Sequence, residues 1–126
     1  MLDKNSIKSI VDYKEGELHV PMWGGSVRLR SPNLKETDYL AKLLRKSFDS
    51  DGTKVIPIKG EESEESYRKY KLFAVGFSLC DDNGERLFSD DEIESILGKK
   101  SPESIHYIFE KINEVLEKKS SQKSEN

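Results

Sequence analysis

Only one cysteine, Cys80, stands in the 126-residue chain, so no internal disulfide can staple the fold, and a reducing cytoplasm suits it. No apolar run approaches the ~20 residues that span a bilayer. Residues 1–10 lack an apolar core followed by small residues, so no secretory signal is expected. A strong charge of one sign is also missing. The 21 basic and 24 acidic residues are interspersed and sum to −3. That argues against a dedicated nucleic-acid binder, whose domain is usually strongly basic. Apolar residues make up only 34% and charged residues 36%, the balance of a small soluble domain with a wet surface. No internal repeat is visible. The length suits one domain, which should bury roughly two-thirds of its unfolded surface.

The residue types that carry chemistry are equally sparse. His19 and His106 stand far apart, and neither has a second ligand at a metal-motif spacing. Cys80 closes an apolar stretch and reads as a small core hydrophobe. Asp81-Asp82-Asn83-Gly84-Glu85 has a calcium-loop flavour, but setting Gly84 at loop position six places Leu79 at position one, where an oxygen ligand is required. A tight turn explains these residues better. Gly24-Gly25 precedes a strand and is followed by no Lys-Ser or Lys-Thr pair, so it is not a phosphate loop. Asp90, Asp91, Glu92 and Glu94 suit the positive end of a helix. Arg45-Lys46, Arg68-Lys69 and Lys99-Lys100 read as solvated surface. No catalytic, cofactor-binding or metal-binding residue is expected, and the chain reads as a binding or assembly module rather than an enzyme.

What is present is organised around Val20 to Arg30. Leu18 and Val20 alternate with Glu17 and His19. Val27 and Leu29 alternate with Ser26, Arg28 and Arg30. This is the period of two half-buried strands, and Gly24-Gly25 between them fits a two-residue hairpin turn. Pro21 marks the first strand as an edge. Two roles stay open for Trp23. Its indole either covers the core, or joins Met22, Gly24, Gly25, Val27, Arg28 and Arg30 in an exposed partner-binding patch.

The rest is mostly helical by pattern. Residues 1–16 read as a flexible arm, with Ile7, Ile10 and Val11 supporting at most a weak turn. Asn33 with Glu36 predicts a capping box, and Leu40, Leu43 and Leu44 a helix over 34–48. Residues 49–63 read as a solvated excursion, with a turn at Asp51-Gly52 and a brief strand or fold-back at Val55, Ile56 and Ile58. Tyr67, Tyr70, Phe73, Ala74, Phe77 and Cys80 form a helical stripe over 62–80. Phe73, Val75, Phe77 and Leu79 also alternate like a strand, but the length of the stripe favours helix. Leu87-Phe88 reads as an apolar anchor. Ser89 with Glu92 predicts a second capping box, with Ile93, Ile96 and Leu97 on one face and Gly98 as the stop. Pro102 restarts helix, and Ile105, Ile108, Phe109, Ile112, Val115 and Leu116 give the cleanest stripe. Residues 118–126 carry no apolar side chain and read as a disordered tail. The expected fold is therefore α+β and helix-dominated, about four helices with an N-terminal β-hairpin, in one domain over 17–117.

The order of these motifs resembles the tail assembly chaperones of long-tailed bacteriophages and prophages. In that family a Trp-Gly-Gly-x-Val element precedes the helices. An acidic turn with Gly and Leu-Phe follows, then Leu-x-x-Lys-Ser and a final helix. Here the elements fall at Trp23, Gly24, Gly25 and Val27; at Asp81, Gly84, Leu87 and Phe88; and at Leu97, Lys100, Ser101 and Phe109. The likeness spans about residues 17–117 and departs from the family around 49–65 and in the lysine-rich tail. It implies a non-catalytic protein of the bacterial host cytoplasm. Such a protein binds the tape measure protein, keeps it soluble and recruits tail tube subunits, with no nucleic acid, membrane or cofactor involved. It leaves homo-oligomerisation open. It also implies a longer form made by frameshifting near the gene's end, where Lys118-Lys119 fits an A-rich slippery run. A different class of reading is a small nucleic-acid-binding regulator of a mobile element, using Arg28, Arg30, Arg45 and Lys46 with Trp23 as a stacking platform. A third is a structural adaptor that persists in the virion.

Overall fold

The computed structural model describes residues 1–50, 55–57 and 60–124, with backbone alone at 48–50, 55–57 and 118–124. A short helix, α1 (Lys4–Ser9), opens the chain. Its Asp3 side chain accepts from the Ser6 N–H at 2.8 Å, and none of its residues is buried. The predicted hairpin follows as β1 (Glu15–Val20) and β2 (Gly25–Arg30). They pair antiparallel from Glu15 opposite Arg30 to Val20 opposite Gly25. Lys14 already joins the pairing, since its carbonyl accepts from the Ser31 N–H at 2.8 Å, so the ordered sheet starts before residue 17.

The connection differs from a Gly-Gly turn. Pro21–Trp23 form one 3-10 turn with Pro21 at its start, and Gly24 closes it at φ 68°, donating to the Pro21 carbonyl at 3.1 Å. Proline's fixed φ and missing N–H suit the first position of such a turn, so only Gly24 needs the left-handed region. Gly25 is already in the strand.

After β2 the chain bends at Pro32 into α2 (Leu34–Ser47). β3 (Phe48–Ser50) and β4 (Val55–Pro57) then pair antiparallel as a separate two-stranded ribbon, so the brief strand expected at Val55-Ile56 is present. Ile58 and the turn expected at Asp51-Gly52 lie outside the described residues. Next comes α3 (Glu61–Ser78), which settles the helix-or-strand choice for Phe73 to Phe77. The expected helix to Cys80 stops two residues early. Leu79 and Cys80 form β5, pairing with Leu29 and Arg28 on the far edge of β2. The sheet order is β1-β2-β5, leaving β1 an edge as expected.

The turn from Asp81 leads to α4 (Asp90–Ser95). Its Ser89–Glu92 capping box is complete in both directions, at 3.3 and 2.9 Å. Leu97–Lys99 form a 3-10 turn, which places Gly98 inside a turn rather than at a helix stop. That tightening carries Leu97 into the core at 1% exposure and leaves Ile96 outside at 38%. The Leu87-Phe88 anchor is Phe88 alone, because Leu87 is 47% exposed. The last helix, α5 (Pro102–Ser124), passes the expected boundary at 117 and includes residues read as a disordered tail. Glu117, Lys118, Lys119 and Gln122 are good helix formers, so propagation costs little once the helix is nucleated.

The core lies between the inner face of the sheet and helices α3, α4 and α5. Leu18, Val20 and Leu29 meet Leu72, Val75, Ile93, Ile108 and Ile112 there. Gly76 permits a close approach between two helices of the core. A Cβ at that position would fall 2.5 Å from the Ile93 side chain, so only glycine lets α4 seat on α3. The result is the helix-dominated α+β domain that the patterning predicts, with five α-helices among the described residues.

Candidate partner-binding surface

The strand alternation that defines β2 sends Leu29 inward and Ser26, Arg28 and Arg30 to the opposite face. Of the seven residues in the expected patch, Met22, Gly24 and Arg28 are exposed. Trp23, Gly25 and Val27 are half-buried, and Arg30 is buried. Trp23 and Val27 pack against the core cluster, which is the covering role among the two open to the tryptophan. Arg28 reaches Glu15 at 3.7 Å and Asp82 at 3.6 Å across half-exposed surface.

Arg30 corrects the sequence reading. Its side chain is 7% exposed and forks onto Glu36, with Nη1 to Oε1 at 2.9 Å and Nη2 to Oε2 at 3.1 Å. The same Glu36 closes the α2 capping box. Its Oε1 accepts from the Asn33 N–H at 2.9 Å, and Asn33 Oδ1 accepts from the Glu36 N–H at 2.9 Å. Arg86 adds a further ion pair, with Nη1 3.6 Å from Glu36 Oε2. Its Nη2 lies 2.5 Å from Asp90, and its guanidinium stacks 4.8 Å from the Phe77 ring centroid. Burial alone would lower the Arg30 pKa, but the hydrogen bonds and charge of Glu36 outweigh it and hold the pKa above its ordinary value. This cluster joins the end of β2, the start of α2 and the entry to α4. The sequence offered one signal for it, a Glu in a capping box shortly after a Pro that turns the chain back. Nothing local pointed to Arg30 as the partner.

The other singled-out residues fall on separate elements. Cys80 is buried in β5, where burial pushes its thiol pKa up, and its Sγ lies 3.7 Å from the Arg28 carbonyl. His19 is exposed on β1. His106, on α5, sits 2.8 Å from Glu110. Asp81 Oδ1 accepts from the Asn83 and Glu85 N–H groups, at 2.8 and 3.0 Å, which makes the acidic stretch a turn closed on itself. Among the described residues no His, Cys, Asp or Glu group of three is placed to hold a metal ion, and no helix is long and apolar enough to cross a membrane. Arg28, Arg30, Arg45 and Lys46 do not form one exposed basic face, because Arg30 is inside the ion cluster.

No protein-family model matches the chain, and no curated protein does. Among solved structures the fold is similar to that of the bacteriophage HK97 tail assembly chaperone. The TM-score is 0.60 at 17% sequence identity, over 82% of this chain and 85% of the other. At that identity the likeness is one of fold: this chain folds as a tail assembly chaperone does.

Proposed function

We propose that the chain is a phage or prophage tail assembly chaperone. In this reading it binds the tape measure protein in the bacterial host cytoplasm, keeps it soluble and recruits tail tube subunits without catalysing a reaction. The observation that carries the proposal is the shared fold with the HK97 chaperone over most of both chains. The motif order agrees with it independently. Trp23-Gly24-Gly25 close the hairpin, Asp81 to Phe88 turn into α4, and Lys100-Ser101 lead into α5. A tape measure is a long helix-rich chain with an apolar stripe, and a small helical domain with grooves between its helices is suited to shield one. Met22, Gly24 and Arg28 are the exposed part of the hairpin patch. In this reading they contact the partner.

The test is co-expression with a phage tape measure protein. The tape measure is expected to be insoluble alone, and soluble and co-purifying in the presence of the chain. A tape measure that stays insoluble and never co-purifies overturns the proposal.

A further inference from the structure

Away from the hairpin, a cleft of about 200 Å³ opens between α3, the 3-10 turn of residues 97–99 and the first turns of α5. Its floor is apolar. Leu72, Leu97 and Ile105 close it from below, each at most 9% exposed, and Pro102 and Gly98 border it. Its rim is basic, formed by Arg68 and Lys71 on α3, Lys100 before α5, and His106 on α5. Among the described residues no carboxylate lines it, in a chain whose net charge is −3. Arg68 is partly neutralised by Glu65 at 2.7 Å and Glu94 at 3.6 Å, and His106 is held by Glu110. Lys71 lies over the Tyr67 ring at 5.6 Å. Among the described residues neither Lys71 nor Lys100 has a carboxylate within ion-pair distance.

The cleft is smaller than the roughly 300–1,000 Å³ of pockets that enclose whole small molecules, so it suits a single apolar side chain. Arg68, Lys71 and Leu72 stand at i, i+3 and i+4 on one helix. Pro102, Ile105 and His106 repeat that spacing on the other. The pair makes a groove between helix faces, the geometry that receives an amphipathic helix.

The geometry points to this groove as the docking site for an acidic amphipathic helix of a partner protein. One leucine-sized side chain enters the cleft, and carboxylates one turn before and after it meet Lys71 and Lys100. Charge complementarity selects the partner. An acidic helix gains two ion pairs at the rim, whereas a basic one brings like charges against them. The chemistry of the cleft is independent of the tail-assembly reading, because it invokes only local shape and charge.

The experiment uses the full chain and two labelled synthetic helices, one repeating leucine among glutamates and the other with lysines in place of the glutamates. Fluorescence anisotropy should show binding of the glutamate helix alone, weakening as salt is raised. Lys100→Glu, at an exposed position, should reduce that affinity about tenfold, and Lys71→Glu with Lys100→Glu should reduce it further. Circular dichroism melting of Lys100→Glu should match the parent chain, so lost binding cannot be mistaken for unfolding. Equal binding of the two helices, no binding of either, or unchanged affinity in Lys100→Glu overturns the proposal. So does a variant that changes only the self-association of the chain in sedimentation, because the occupant would then be a second copy.

Discussion

Arg28 and Arg30 stand two residues apart on the same face of β2, yet they do different things. Arg28 is 42% exposed and makes two long ion pairs, one to an Asp82 that is 97% exposed. Arg30 is 7% exposed and forks onto a Glu36 that is 5% exposed. The strand treats them alike, and the difference comes from the chain beyond its end. Pro32 turns the chain, and the capping box of α2 folds over the end of the strand, bringing Glu36 down onto Arg30 and leaving Arg28 at the edge. Identical residue types thus become a surface contact and a structural tie through the position of one helix start.

The sharpest way to break this comparison is to remove the partner at the closed end. Glu36→Ala leaves Arg30 buried without its counter-charge and opens the capping box. Urea unfolding should show a loss of about 3 kcal/mol, in the range for breaking a buried ion pair. A loss below about 1 kcal/mol would mean that the Arg30 end is as open as the Arg28 end.

Local rules were legible wherever the cause lay within a few residues. Both capping boxes, the α5 stripe and the edge position of β1 are read from adjacent side chains and are present. Features set by distant chain were not legible. β5 is two residues long and continues the helical stripe of α3, so only pairing with β2 reveals it. The burial of Arg30 depends on α2. Helix propensity alone makes Gly76 a weak point in α3, whereas the fold uses it to seat Ile93. Of the expected patch, the sequence could not separate Val27, which packs inward, from Met22, which does not.

Gly76→Ala sharpens the contrast between local and tertiary causes. Helix propensity alone favours alanine by ~1 kcal/mol. Crowding against the fully buried Ile93 costs ~1–3 kcal/mol, so a net destabilisation of about 1 kcal/mol is expected in thermal or urea unfolding. A stabilised variant would show that the approach of α4 is not tight.

At the open end, Arg28→Ala should change stability by less than about 0.5 kcal/mol, because exposed, screened ion pairs contribute little. If the hairpin patch contacts a partner, the same substitution should weaken tape measure binding while the melting curve stays put. The smallest effect belongs to the end of the chain. α5 continues to Ser124, but residues 118–124 bring no apolar side chain to bury. Truncation at Lys119 should move the thermal midpoint by no more than about a degree or two.

That truncation also gives the most direct measurement of the central claim, that the folded domain carries the chaperone function. The full chain and the chain ending at Lys118 are each co-expressed with the tape measure protein, and the soluble complex is quantified after size-exclusion chromatography. Equal recovery of soluble tape measure with both is the expected result. Loss of the tape measure on removing residues 119–126 would contradict the account and place the contact on the tail.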